Sequence, residues 1–171
     1  MALCATAIIA GGSPPVPSVA VRGDLPRSGT VTFPELEKLA PVEVTWKHHE
    51  KSYQFTGVPL ETVVAQFGLT SGEKSETVSK SEKRSGYKFV IVASSPDGYQ
   101  AVYSFAEIAA TNGTPSKVFL VWKLDGKPLP EDMGPFRLVS TTDGEGARSV
   151  YHLSSLDIVD MRKIAKVEVI K

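Results

Sequence analysis

The chain has 171 residues, of which 42% are hydrophobic and 22% are charged, so it has the length and composition of a globular domain with a sizeable core. Its 19 lysine and arginine residues balance 19 aspartate and glutamate residues, which excludes a global field that would attract nucleic acid or an anionic membrane. The single cysteine, Cys4, excludes an intrachain disulfide and a cysteine-rich zinc site.

Residues 1–17 form a leader that differs from the rest of the chain. Residues 2–11 are small and apolar, and a stretch rich in proline, glycine and serine follows. This pattern is typical of the core and trailing part of a secretory signal, although the usual positively charged start is absent. An atypical export signal and a plain disordered leader both remain open, and the first predicts a periplasmic or secreted protein. The apolar run is too short to cross a bilayer, so we expect no membrane span.

The folded body is predicted to begin with a strand at residues 18–23, followed by a turn at residues 24–29. Thr32 and Glu35 have the spacing of a capping box, which predicts a short helix that Pro41 ends.

A hairpin and a longer helix are predicted next. Residues 42–45 and 52–56 alternate like two strands around a polar turn, and residues 60–67 have helical spacing. Gly68 lies where a glycine commonly ends a helix. Residues 71–86 contain almost no apolar side chain and are predicted to be a solvated loop.

The second half of the chain is rich in short strands, with one short helix at residues 105–110. Its predicted strands are residues 87–93, 99–103, 117–124, 136–140, 149–158 and 165–170. Many short strands with short helices between them predict one α+β domain over residues 18–171, and not a doubly wound sheet.

Three sequence blocks occur in a characteristic order: YQFTGVPLETVVAQFGL at 53–69, SSPDGYQAVYSFAEI at 94–108 and VWKLDGKPLPEDMGPFRLV at 121–139. Together with RSVYHL at 148–153, they resemble the oxidoreductase molybdopterin-binding domain, the catalytic fold of the sulfite-oxidase family. The resemblance covers roughly residues 20–170. The chain is also similar to a shorter, exported branch of that family. It implies an α+β fold with mixed β-sheets and a few short helices.

The resemblance implies a molybdenum ligand that this chain lacks. In the family, a cysteine thiolate follows the strand that matches residues 42–46, and a soft thiolate suits molybdenum. Here that position falls within Trp46, Lys47, His48 and His49, and no cysteine is present. We therefore assign no catalytic and no metal-binding residue, and whether the chain is an enzyme stays open.

The half of the family site that holds the pterin and its phosphate is better preserved. The resemblance places four residues in matching positions as cofactor-binding candidates: Gly144, Gly146, Arg148 and Ser149. Glycines let backbone amides approach an anion, and Arg148 can give two charge-assisted hydrogen bonds. However, Tyr151 replaces a lysine and His152 replaces a tryptophan of the family's basic run. The alternative for Arg148 is a surface position at the start of a strand.

Three further side chains allow a chemical and a structural interpretation. His48 and His49 are adjacent, and neighbouring side chains on an extended segment point to opposite faces, so solvated turn histidines are favoured over a metal site. Arg137 resembles a family arginine, but it is also compatible with a side chain that reaches solvent from a sheet edge.

Three functional hypotheses follow. The leading one is a non-redox member that binds a small anion, a pterin-like compound or a protein partner in the former cofactor cleft, without a molybdenum cofactor. The second is an active molybdopterin-dependent oxidoreductase with an atypical metal ligand. The third is a structural or interaction module whose cleft is filled by side chains.

Overall fold

The structure, a computed structural model, describes residues 16–70, 85–110, 115–143 and 146–164. These residues form two five-stranded sheets. The strands of the first sheet are β1 (Ser18–Gly23), β2 (Gly29–Thr32), β5 (Phe89–Ser94), β6 (Gln100–Ser104) and β10 (Ser155–Asp160). They lie in the order β2-β1-β10-β5-β6, and the pairing of β1 with β10 is parallel.

The strands of the second sheet are β3 (Val42–His48), β4 (Lys51–Pro59), β7 (Val118–Leu124), β8 (Lys127–Pro128) and β9 (Arg137–Ser140). They lie in the order β3-β4-β7-β8, and β9 also pairs with β7 in antiparallel direction. On its other side, β9 is joined to the segment that follows by an isolated bridge between Leu138 and Val150.

Short helices connect the strands: α1 (Phe33–Glu37), α2 (Leu60–Ala65), α3 (Phe105–Ile108) and α4 (Met161–Ile164), with a 3-10 turn at Ser85–Lys88. The predicted capping box is present, because the Glu35 carboxylate accepts hydrogen bonds from Thr32 N at 2.7 Å and Thr32 Oγ1 at 2.8 Å. Within the described ranges, no helix has the length and apolarity needed to cross a membrane.

The second sheet contributes to two apolar clusters. The main core takes side chains from both sheets and from the helices, and β7 gives it Leu120 and Trp122. The smaller cluster includes Val121 of the same strand, together with Trp46 and Phe55. This division follows from the period of two in a strand, which sends alternate side chains to opposite faces. The second sheet therefore carries buried side chains on both of its faces.

Several predicted elements need correction. The strand predicted at residues 149–158 begins only at Ser155, because the preceding residues form turns that hydrogen-bond back to β9 and its neighbours. Strand β2 was not predicted, and a 3-10 turn precedes β5. The predicted strand at 165–170, residues 1–15 of the predicted leader at 1–17 and residues 71–84 of the predicted loop lie outside the described residues.

Candidate anion-binding site

Arg137 lies in the interior of the protein. It begins strand β9, pairs with Val121 of β7 and is only 1% exposed. Of the two interpretations of Arg137, the one in which its side chain reaches solvent from a sheet edge is therefore excluded. Strand β7 covers one side of β9, and the bridge between Leu138 and Val150 closes the other.

Aromatic rings surround the Arg137 guanidinium. Its Cζ atom lies 4.8 Å from the ring centroid of Trp46, 5.4 Å from that of Phe55 and 3.9 Å from that of Tyr151. Cation–π attraction to these rings offsets part of the cost of burying the charge. Burial lowers the pKa of Arg137, but an arginine remains charged under all ordinary conditions. Among the described residues, no carboxylate forms an ion pair with it.

Most buried side-chain polar atoms without a hydrogen-bond partner belong to Arg137, to Trp46 beside it, or to Ser149 of the turn that approaches Trp46. Apart from the indole nitrogen of Trp122 in the main core, all such side-chain atoms in the described part of the chain are Trp46 Nε1, Arg137 Nε, Arg137 Nη2 and Ser149 Oγ. Arg137 Nη1 reaches only the sulfur of Met133, at 3.7 Å, and a thioether is a weak acceptor.

Gly146 lies next to the six-membered ring of Trp46, and Ser149 belongs to the same turn as Gly146. A Cβ atom placed on Gly146 would be 3.1 Å from Trp46 Cζ2, the ring carbon beside the one that carries Nε1. The Ser149 amide donates a hydrogen bond to the Gly146 carbonyl at 2.9 Å, which places both residues in one turn. The backbone of Gly146 has φ of +65°, a conformation that glycine adopts without strain. The turn therefore approaches Trp46 closely because residue 146 has no side chain.

The unpartnered atoms share one chemical property. Indole and guanidinium nitrogens are hydrogen-bond donors only, and the Ser149 hydroxyl can donate as well. A cluster of buried donors around a positive charge is complementary to a ligand that carries acceptors and negative charge. The arrangement thus fits a small oxyanion.

Arg148, the charged residue among the four sequence candidates, points to a different place. Its Nε and Nη2 donate to the two Asp143 carboxylate oxygens at 2.8 Å each, and its Nη1 donates to Glu107 Oε1 at 2.7 Å. These hydrogen bonds raise the pKa of Arg148 and lower that of Asp143. Tyr103 donates its hydroxyl to the Arg148 carbonyl and holds the backbone. The charge of Arg148 is therefore already balanced within the chain.

Arg148 also borders a cavity of about 320 Å³ that is separate from the Arg137 cluster and is lined in part by Lys117, Ser140 and Thr142. Of the four candidates, Gly146 lies against Trp46, Ser149 belongs to the same turn, Arg148 lies on the cavity, and Gly144 is outside the described residues. The assignment of the four to one site stays a prediction.

The histidines at the end of β3 differ in their surroundings. His48 is half-buried and stacks on Trp46, with ring centroids 5.0 Å apart and planes inclined by 8°, whereas His49 is exposed. Within the described ranges, no group of three or more His, Cys, Asp or Glu side chains is placed to hold a metal ion.

The fold is an α+β domain with mixed sheets and a few short helices. Its interior contains unpartnered hydrogen-bond donors at Arg137 and Trp46. A family model described as oxidoreductase molybdopterin binding domain matches residues 29–166. The chain belongs to this family, and the family resemblance and α+β fold predicted from the sequence are confirmed.

A solved structure supports the same fold. The sulfane dehydrogenase SoxCD from Paracoccus pantotrophus is similar to this chain with a TM-score of 0.61 and 16% sequence identity. The match covers 84% of this chain but only 38% of that one. At this identity the likeness shows the fold alone. A comparison with curated protein sequences finds no significant match.

The residues present do not fit a molybdenum-bearing cofactor held through a protein thiolate. The end of β3 offers indole, amine and imidazole groups in Trp46, Lys47 and His48, and the chain's one cysteine is Cys4. None of these provides a soft sulfur ligand at this position. The donor cluster fits the phosphate-like half of such a ligand better than it fits the metal-bearing half.

Sequence reasoning missed the central residue of the site. It noted Arg137 only for its family resemblance and placed the anion contact on Arg148. A signal was available, since Arg137 stands between Phe136 and Leu138 in the apolar strand FRLV. A charged residue inside such a strand has to be either exposed at an edge or buried with a partner or ligand.

Proposed function

We propose that this chain is a non-redox member of the family that binds a small oxyanion between Trp46, Arg137 and Ser149. The observation that carries the proposal is a set of buried donors at and near an arginine that forms no ion pair with any described carboxylate and feels Asp132 only from a distance. An unsatisfied buried donor costs about 1–3 kcal/mol, and more if it is charged. A bound oxyanion would supply acceptors for several of these donors together with the missing negative charge.

The non-redox part of the proposal rests on the donor set at the end of β3. Molybdenum chemistry in this family, as the resemblance implies, depends on a thiolate that His48 and its neighbours do not replace. The ligand would therefore be held by charge, hydrogen bonds and an aromatic wall. Export to the periplasm or the outside of the cell, suggested by residues 2–11, belongs to the same proposal.

The test of oxyanion binding is isothermal titration of the full chain with sulfate and with phosphate at low ionic strength. We expect Arg137→Met to weaken binding by about 10–100-fold, because a hydrogen bond to a charged group contributes about 1.5–3 kcal/mol. Arg22→Met is the matched control. It removes the same charge from an exposed arginine whose partner, Asp157, lies on the first sheet, and it should bind as the wild type does.

The Arg148→Met variant distinguishes an anion site at Arg137, as proposed here, from an anion site at Arg148, as the sequence predicts. Loss of binding in Arg148→Met with binding retained in Arg137→Met would move the site to Arg148 and its cavity. Absence of binding in the wild-type chain would overturn the proposal in favour of a cleft that is simply filled by side chains.

Elemental analysis tests the non-redox part. Protein purified from a host that makes the molybdenum cofactor is expected to contain molybdenum at far below one atom per chain. Stoichiometric molybdenum would instead support the oxidoreductase hypothesis.

A further inference from the structure

We propose that the outer edge of strand β3 is a self-association surface, at which two copies of the chain join their second sheets into one continuous sheet. Strand β3 ends the order β3-β4-β7-β8 and pairs with β4 on one side. Among the described residues, no backbone hydrogen bond joins its other side to another segment. Strand β3 has seven residues, whereas β2, β6 and β8 at the other sheet ends have four, five and two. An open edge of this length is a template for pairing with another strand.

The turn after β3 determines which of its backbone groups point outward. Only residues 49 and 50 connect β3 to β4, and His48 and Lys51 on either side of them are paired. In a two-residue hairpin the flanking residues form a hydrogen-bonded pair, and hydrogen-bonded and non-hydrogen-bonded pairs then alternate along the strands. The residues of β3 whose backbone groups point away from β4 are therefore Glu43, Thr45 and Lys47.

These outward positions are complementary to themselves. When two copies of β3 run antiparallel about a two-fold axis at Thr45, Glu43 of each copy lies directly opposite Lys47 of the other. Both side chains are exposed, and among the described residues neither takes part in an ion pair. Glu43 Oε1 accepts a hydrogen bond from Thr56 at 2.8 Å, which leaves Oε2 for the lysine. Opposite charges at directly opposed positions stabilise an antiparallel pair.

Other registers of the same strand lack this match. An axis at Val44 places Glu43 opposite Thr45 of the second copy, and an axis at Trp46 places Lys47 there. An axis at Glu43 or at Lys47 brings two like charges together, which is destabilising. The charges therefore select the axis at Thr45, where all seven residues of β3 overlap.

The resulting interface is weak and sensitive to salt. Val44 and Trp46, on the opposite face of β3, are only 4% and 3% exposed within one copy, so pairing buries little further apolar surface there. Association depends on the outward backbone groups and on two exposed charge pairs, which salt screens. We expect a dimer that forms at high protein concentration and dissociates as the ionic strength rises.

Sedimentation velocity of the full chain, at low ionic strength and at concentrations up to about 1 mM, measures the dimer dissociation constant. Glu43→Lys and Lys47→Glu should each weaken the dimer by at least about tenfold, because each places like charges opposite each other twice. The double variant exchanges the two charges and should return to within about threefold of the wild-type affinity. Glu50→Lys is the matched control. It makes the same charge change in the exposed turn beside β3 and should bind as the wild type does.

Disulfide cross-linking tests the register directly. In a Cys4→Ser background, Thr45→Cys places two thiols across the axis, where the Cα atoms of a hydrogen-bonded pair lie about 5.5 Å apart and a disulfide can form. Gln54→Cys is the control, because Gln54 pairs with Thr45 and is also exposed. Two residues at position 54 would be three strand spacings apart, about 14 Å. Oxidised glutathione should therefore give a covalent dimer from Thr45→Cys alone.

Each outcome decides the proposal. A chain that stays monomeric over the whole concentration range overturns it, and the charges of β3 then protect an edge instead of pairing it. A dimer that the two single charge reversals leave unchanged, or that the double variant does not restore, does not use this register. Cross-linking of Gln54→Cys as readily as of Thr45→Cys contradicts the axis at Thr45. The proposal does not depend on oxyanion binding at Arg137, which isothermal titration tests separately.

Discussion

Arg137 and Arg148 are the same type of residue in two regions of one molecule, and their neighbours give them different roles. Arg148 is 35% exposed in its side chain and is held by Asp143 and Glu107. Arg137 is 1% exposed and lies among aromatic rings. Hydrogen bonds to carboxylates raise the pKa of Arg148, whereas burial lowers that of Arg137. An arginine is available to a ligand only if the chain has not already neutralised it.

Substitution by methionine should affect stability differently at the two arginines. We expect Arg148→Met to lower the free energy of unfolding by about 1–2 kcal/mol, because it leaves the partly buried Asp143 without its bidentate partner. Arg137→Met should be neutral or stabilising, since replacing a buried charge that forms no ion pair with an apolar side chain of similar length removes a desolvation cost. Urea unfolding at equilibrium measures both. A larger loss in Arg137→Met would show that the aromatic contacts make Arg137 a structural residue.

The turn that contains Gly146 and Ser149 provides a second, smaller test. Gly146→Ala should cost about 1 kcal/mol from the positive φ, plus the crowding of Trp46 by the new methyl group. Gly126→Ala is the matched control, because Gly126 also has a positive φ, +73°, but a Cβ there would meet nothing within 4 Å. The difference between the two variants in urea unfolding isolates the contact with Trp46. Equal costs would mean that the turn can shift away from the indole.

The smallest expected effect is a dependence of stability on pH to which Arg148 contributes and Arg137 does not. The hydrogen bond from Arg148 lowers the pKa of Asp143 in the folded chain. Burial alone would raise the pKa of Glu107, but hydrogen bonds from Arg148 and the Ser104 amide lower it on balance. A carboxyl with a lowered folded pKa stabilises the protein fully above its unfolded pKa, near 4, and this contribution is lost as the pH falls through the folded value.

The loss of stability as the pH falls below about 5 should therefore be shallower in Arg148→Met than in the wild type. Arg137→Met should follow the wild-type curve, because no described carboxylate pairs with Arg137. Urea unfolding at a series of pH values measures the two slopes. Identical slopes in all three proteins would mean that Arg148 does not set the pKa of its neighbours.

Local sequence signals were sufficient for much of the fold. These signals act over only a few residues, so they can be read directly from the sequence. They are the capping box at Thr32 and Glu35, the alternation in β3 and β4, and the turn glycines Gly98 and Gly126. Strand β2 was missed because its four residues become a strand only by pairing with β1. The alternation after Gly146 predicts a strand, but hydrogen bonds to β9 and its neighbours fold this segment into turns instead.

The site was harder to predict, because it depends on contacts between distant segments. The donors on Trp46, Arg137 and Ser149 come from β3, β9 and a turn, and nothing local to any of them indicates that they meet. The sequence indicated Arg148 as the anion contact, since an arginine after two glycines resembles an anion loop. It could not show that Asp143, and Glu107 from a distant helix, engage that charge first.

The parallel pairing of β1 with β10 has a consequence for how the chain folds. Strand β10 lies between β1 and β5, so the first sheet lacks its inner strand until residues 155–160 are available. Contacts between such distant parts of the sequence close late and make folding slow. The N-terminal strands should therefore remain unfolded during most of synthesis. If the chain is exported, this delay would keep it in a form that can be threaded through a membrane pore.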